Sequence, residues 1–127
     1  MKYTCILIFF LYTCILTCQA GIEELVLAQE VAAGEVEEVT YVPANGKVVM
    51  LHEFIGNAAE DPNTTVLVVW DFGEAGETVI WSTHGSIREF PNISVGTGDG
   101  TKKVGLCLKN DDSVARILSG KIVLETQ

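Results

Sequence analysis

Cysteine all but disappears from this chain after residue 20. Cys5, Cys14 and Cys18 sit in the first twenty residues, and Cys107 stands by itself in the remainder. A domain with a single thiol has no intramolecular disulfide framework, so its core has to hold without covalent staples. Imidazole is scarce too. His52 and His84 are the two histidines, without HxxxH, HxH or paired-cysteine spacing, whereas a structural zinc site wants four nitrogen or sulfur ligands. Positive charge is the third shortage. The chain has 8 Lys and Arg against 17 Asp and Glu, and setting aside Lys2 leaves 7 against 17, a formal charge of −10. Such a chain is repelled by nucleic-acid phosphates and by anionic membrane surfaces. Nucleic-acid binding is excluded first.

What is present begins with a leader. Met1-Lys2 supplies one positive charge, residues 5–16 are nearly unbroken apolar side chains, and Cys18-Gln19-Ala20 offers small residues at positions −3 and −1 of a cut before Gly21. These are the requirements of a secretory signal, and the apolar run is shorter than the roughly 20 residues of a spanning helix. The expectation is a signal peptide at 1–20, cleaved before Gly21, and a single domain at 21–127. Two further readings stand beside it. Ile15-Leu16-Thr17-Cys18 loosely resembles a bacterial lipoprotein box, with Thr17 where Gly, Ala or Ser belongs, which would lipidate Cys18. A retained Cys18 would also make a Cys18–Cys107 bridge conceivable. The repeat of Tyr-Thr-Cys-Ile-Leu at residues 3–7 and 12–16 says nothing about fold.

After Val31 the dominant pattern is alternation with a period of two, the mark of strands. In residues 47–55, Val48, Met50, His52 and Phe54 fall on one face, and Val49, Leu51, Glu53 and Ile55 on the other. Residues 65–72 set Val66, Val68, Trp70 and Phe72 against Leu67, Val69 and Asp71. Residues 78–82 place Val79 and Trp81 together. Residues 102–109 set Val104, Leu106 and Leu108 against Lys103, Gly105, Cys107 and Lys109, a half-exposed strand. Turn chemistry punctuates the runs: Pro43-Ala44-Asn45-Gly46 reads as a tight hairpin, Gly73-Glu74-Ala75-Gly76 joins the two tryptophan strands, and Asn110-Asp111-Asp112-Ser113 closes the Lys102 strand. Two stretches are compatible with helix, residues 22–33 and a single turn at 58–61. The fold expected is all-β: an antiparallel two-sheet β-sandwich of jelly-roll type with about eight strands.

Few residues point to chemistry. Asp99 lies in a Gly-Asp-Gly turn and Asp111-Asp112 in another, and carboxylates with backbone carbonyls suit calcium, although Gly/Asp turns serve equally as plain turns. No other cofactor is indicated. Ser82-Thr83-His84-Gly85-Ser86 sets hydroxyls beside a histidine, but there is no Gly-x-Ser-x-Gly and no strand-turn-helix elbow to present a nucleophile. Tyr41, Trp70 and Trp81 offer a stacking platform for a sugar; against it, Trp70 and Trp81 share phase with Val66, Val68 and Val79, which reads as core. Asn63-Thr64-Thr65 and Asn92-Ile93-Ser94 are glycosylation sequons at loop-to-strand junctions.

The C-terminal third carries a resemblance. Gly96-Thr97-Gly98-Asp99-Gly100-Thr101-Lys102-Lys103-Val104, through Leu108-Lys109-Asn110-Asp111-Asp112-Ser113, to Ala115-Arg116 and residues 120–124, resembles the final hairpins of small β-sandwich accessory modules in tailed-phage virion proteins. The resemblance covers about thirty residues and implies a structural or receptor-facing module that works by assembly.

The leading functional expectation is therefore a non-enzymatic structural or binding module on an extracellular or particle surface, a virion included. Its partners would be other proteins or further copies of itself, engaged through loop ends or exposed sheet edges. The alternative is a secreted carbohydrate-binding module using Tyr41, Trp70 and Trp81. A hydrolase or metal enzyme of unfamiliar type is a third.

Overall fold

A computed structural model of the chain describes residues 21–127. The signal peptide expected at 1–20, the lipidation alternative at Cys18 and the Cys18–Cys107 bridge lie outside the described residues. The alternating runs become nine strands: β1 (Gly21–Val31), β2 (Val36–Tyr41), β3 (Val48–Asn57), β4 (Thr64–Trp70), β5 (Thr78–Thr83), β6 (Ser86–Glu89), β7 (Ile93–Thr97), β8 (Val104–Asn110) and β9 (Arg116–Thr126). No helix occurs among the described residues, and so none long and apolar enough to cross a membrane.

The strands form two antiparallel sheets, one ordered β1-β9-β3-β6 with β7 also on β3, the other ordered β2-β8-β4-β5. Because β9 runs along one side of β3 from Val49 to Asn57, β6 and β7 must share the other side; they meet residues 54–57 and 48–51 of β3 respectively. They are two pieces of one broken edge. Counted as one, they leave eight strands in the orders 1-8-3-6 and 2-7-4-5, the interleaved Greek keys of a jelly-roll sandwich.

This topology corrects two turn readings. Pro43-Ala44-Asn45-Gly46 is no hairpin: β2 and β3 belong to different sheets, and the segment crosses between them. Likewise β8 and β9 lie in opposite sheets, so the C-terminal third does not close in a hairpin. Residues 73–76 do join neighbouring antiparallel strands, with Gly73 at φ +84. Residues 22–33, compatible with helix in composition, form β1 instead. Its odd positions carry Leu25, Leu27 and Val31 inward, and it finds an uninterrupted eleven-rung ladder on β9. At 58–61 the chain turns, with Ala59 and Glu60 at positive φ.

The core draws on both sheets. Val49, Leu51, Phe54, Leu118, Ile122 and Leu124 from the first meet Val66, Val68, Val104, Leu106 and Leu108 from the second, and burying each such side chain contributes about 1.5–3 kcal/mol. Bulges decide which residues take part. A register shift between Leu51 and Glu53 absorbs His52, so Val49, Leu51 and Phe54 all point inward although strict alternation sets Phe54 against the other two. A second shift, across Val68/Val69, absorbs Ile80 and separates Val79, which faces solvent, from Trp81, which faces in. β8, expected half-exposed, is buried on both faces from Val104 to Leu108.

Candidate functional site

Tyr41, Trp70 and Trp81 all belong to the four-stranded sheet, and all pack against its inner, core-facing side. Tyr41 and Trp70 flank Val104 in one cross-strand row, and Trp81 pairs with the buried Val68. The indole of Trp70 reaches across to the opposite sheet, where a Cβ on Gly96 would lie 2.4 Å from it. Glycine at 96 is thus the space the indole occupies. Burial pushes the Tyr41 phenol above its ordinary pKa; Glu23 adds to the rise and the Thr126 hydroxyl opposes it. The three rings fill gaps between the sheets, so they do not make a stacking platform on an outer face. Trp70 faces in through its parity with Val66 and Val68, whereas Trp81 does so because the bulge at Ile80 takes it out of phase with Val79.

Asp99 and Asp111-Asp112 sit in the loops at opposite ends of β8. Seven strand residues separate them, about 20 Å of extended chain, too far to share an ion. Among the described residues no group of three His, Cys, Asp or Glu is placed to hold a metal. Each turn instead uses its own carboxylate. Asp99 Oδ1 accepts from the Thr101 amide at 2.8 Å, the Lys102 amide at 2.9 Å and the Thr101 hydroxyl at 2.8 Å. Those bonds, the Lys102 and Thr101 amides first, bring its pKa down to about 2. Asp112 takes Nε and Nη2 of Arg116 at 2.8 and 2.6 Å, which lowers its pKa and raises that of Arg116. Arg116 also reaches Asp61 in the β3–β4 loop at 3.3 Å. Asp111 pairs with Lys109 at 3.5 Å.

The Ser82–Ser86 segment holds no nucleophile arrangement. His84 Nδ1 donates to the Thr64 carbonyl at 2.7 Å and lies 3.3 Å from the Thr65 hydroxyl, tying the β5–β6 turn to the start of β4. Thr64, wholly buried, donates its hydroxyl to the Ala58 and Asp61 carbonyls. The sequon residues Asn63 and Asn92 are both exposed in loops, Asn92 at positive φ.

A surface that sequence reading missed lies on the outer face of the five-stranded sheet. Register rows there run Ile22–Glu125–Met50, Glu24–Val123–Glu53 and Val26–Lys121–Ile55–Arg88. Ile22 and Val26 are 61% and 59% exposed; Met50, Ile55 and Val123 are half-buried between them and the far edge. Both cations in these rows are engaged within the face, Lys121 with Glu24 at 3.8 Å and Arg88 with Glu53 at 3.5 Å. At the far edge Phe90 stands 53% exposed, with the Arg88 guanidinium 5.3 Å over its ring and His52 edge-on at 6.4 Å. The apolar outer positions of β1, β3 and β9 are visible in the sequence, but nothing there says these strands are neighbours.

The outer face of the four-stranded sheet is covered differently. Phe72, just past the end of β4, folds back and packs on Gly105, where a Cβ would meet the ring at 3.1 Å. Asp71 at positive φ makes this reversal. Cys107 and Val69 on the same face are buried. Burial drives the Cys107 thiol up to about 12, with Glu38 and Glu77 adding to it.

No protein-family model matches the chain, and no curated protein matches it. Among solved structures, the chain is similar to PliG of Aeromonas hydrophila, a periplasmic lysozyme inhibitor of g-type lysozyme. The TM-score is 0.46 at 12% identity, over 84% of this chain and 89% of that chain.

Proposed function

We propose that this chain is an exported, non-enzymatic module that binds a protein partner through the outer face of its five-stranded sheet. The observation that supports the reading is the composition of that face. Ile22, Val26, Met50, Ile55 and Val123 share that face across three strands, alternating in the register rows with Glu24, Glu53, Lys121 and Glu125, and Phe90 is exposed at its far edge. Exposed apolar side chains gathered on one sheet face among polar groups suit a protein interaction site. The chemistry of the partner follows from charge. Lys121 and Arg88 are already paired inside the face, and the chain carries an excess of ten acidic groups over residues 21–127, 7 basic against 17. The complementary surface is a basic protein with an apolar centre. The Asp99 and Asp112 carboxylates and the Thr64, Thr83 and Thr101 hydroxyls are engaged in holding loops.

The test uses variants away from the sheet edge. Affinity capture from the extracellular fraction of the source organism, followed by binding with the purified partner, should yield a basic protein whose affinity falls as salt rises. Ile55→Glu and Val123→Glu should weaken that binding by about tenfold or more while leaving the fold intact. A partner that binds both variants normally would sink this reading.

A further inference from the structure

The sandwich has four sheet edges among the described residues, and three carry the devices that prevent strands from pairing with other chains. The β6–β7 edge is two short pieces of 4 and 5 residues with Pro91 between them and a register shift along β7. β5 has 6 residues and a bulge. β2 is only 6 residues long. β1 is different. It is 11 residues long, about twice the usual strand length, in continuous register with β9, and contains neither proline nor lysine. Every second residue of such an edge presents an unpaired N–H and C=O outward.

We infer that β1 pairs antiparallel with β1 of a second copy, about a two-fold axis at Val26, joining the two five-stranded sheets into one. The occupant and the register follow from side-chain placement. Centred on Val26, the pairing sets Glu24 opposite the partner's Ala28, Ile22 opposite the partner's Glu30, and Val26 against its own copy on the outer face. On the inner face it sets Leu25 opposite the partner's Leu27, and Glu23 opposite the partner's Gln29. No carboxylate meets a carboxylate across the seam. A slip of two residues toward the C-terminus would set Glu24 against Glu30 twice, and like charges directly opposite are destabilising. Strand addition also doubles the exposed outer face by continuing it across the axis. The inference is independent of the partner-binding reading and tested without a partner.

Sedimentation velocity of the purified protein should show a reversible monomer–dimer equilibrium. Two copies of excess negative charge repel, so salt should tighten this dimer, the opposite of its expected effect on a basic partner. Val26→Lys puts two ammonium groups face to face at the axis and should weaken dimerisation about tenfold or more. Ala28→Lys, set opposite the partner's Glu24, should preserve or tighten it. Val26→Cys should cross-link to a covalent dimer with oxidised glutathione, because directly opposed Cα atoms in an antiparallel pair lie about 4.5–5.5 Å apart, within disulfide reach. Circular dichroism melts of each variant separate loss of pairing from loss of fold. A protein monomeric at every concentration, or a dimer that Val26→Lys leaves unchanged or tightens, would overturn the inference.

Discussion

The carboxamide of Asn110 donates at 2.9 Å to the backbone carbonyl of Val31, linking the end of β8 to the end of β1 across the sandwich. The same nitrogen donates to the Val114 carbonyl at 2.8 Å, and the side-chain oxygen accepts from the Asp112 amide at 2.9 Å. The Asn110 backbone completes the knot by exchanging bonds with Gly34 and Glu35 in the β1–β2 turn. One wholly buried side chain therefore fixes two crossovers between the sheets.

Asn110→Ala should destabilise the domain by about 2–3 kcal/mol, because two carbonyls and one amide lose their partner together. For a domain of this size that lowers Tm by on the order of 10–20 °C, measurable by calorimetry. A change within experimental error would mean water replaces the carboxamide without loss.

Gly96→Ala places a methyl group where the Trp70 indole lies. The ring has to move toward solvent, at a cost of about 1–3 kcal/mol. Tryptophan fluorescence should shift to the red and become more accessible to iodide. Val79→Ala, removing an exposed side chain, serves as the control and should change neither.

Acid should loosen the β7–β8 turn within a defined window. The folded-state pKa of Asp99 is about 2, below the ordinary 3.8. Its contribution to stability is therefore present above the unfolded value and is lost as pH falls from about 3.8 through 2. Asp112 shifts in the same direction through Arg116. Asp99→Asn should flatten the acid limb of a Tm-against-pH curve below pH 4, and an unaltered limb would count against the assignment.

Cys107 runs the other way. With the folded thiol raised to about 12 from 9.0, its contribution to stability is present below pH 9 and lost as pH rises from there toward 12. Iodoacetamide at pH 8 should leave the folded protein unmodified and alkylate it promptly in denaturant. Phe72→Ala, which strips the ring from the Gly105 side of this face, should speed modification of the folded protein.

Much of the fold was legible because alternation reports faces directly. Val66, Val68, Val104, Leu106 and Leu108 read as one side of their strands, and all are wholly buried. Legibility failed where a strand broke its own period. At His52 and Ile80 an extra residue shifts phase, and a two-residue repeat has no means of announcing an insertion. It failed also at residues 43–46, where Asn-Gly signals a turn but not whether the chain turns back or crosses to the other sheet.

The sequence by itself determined the all-β class, the inward phase of Trp70 and the acidic balance, because periodicity and composition are local properties of the chain. Tertiary structure decided which strands are neighbours. Neighbourhood set Asp99 and Asp112 at opposite ends of β8, turned Tyr41, Trp70 and Trp81 into filling between the sheets, and assembled Ile22, Val26, Ile55 and Val123 into one face. It also left β1 as the long edge. Each of these depends on residues brought together from distant parts of the chain, and their juxtaposition is a property of the packed sheets.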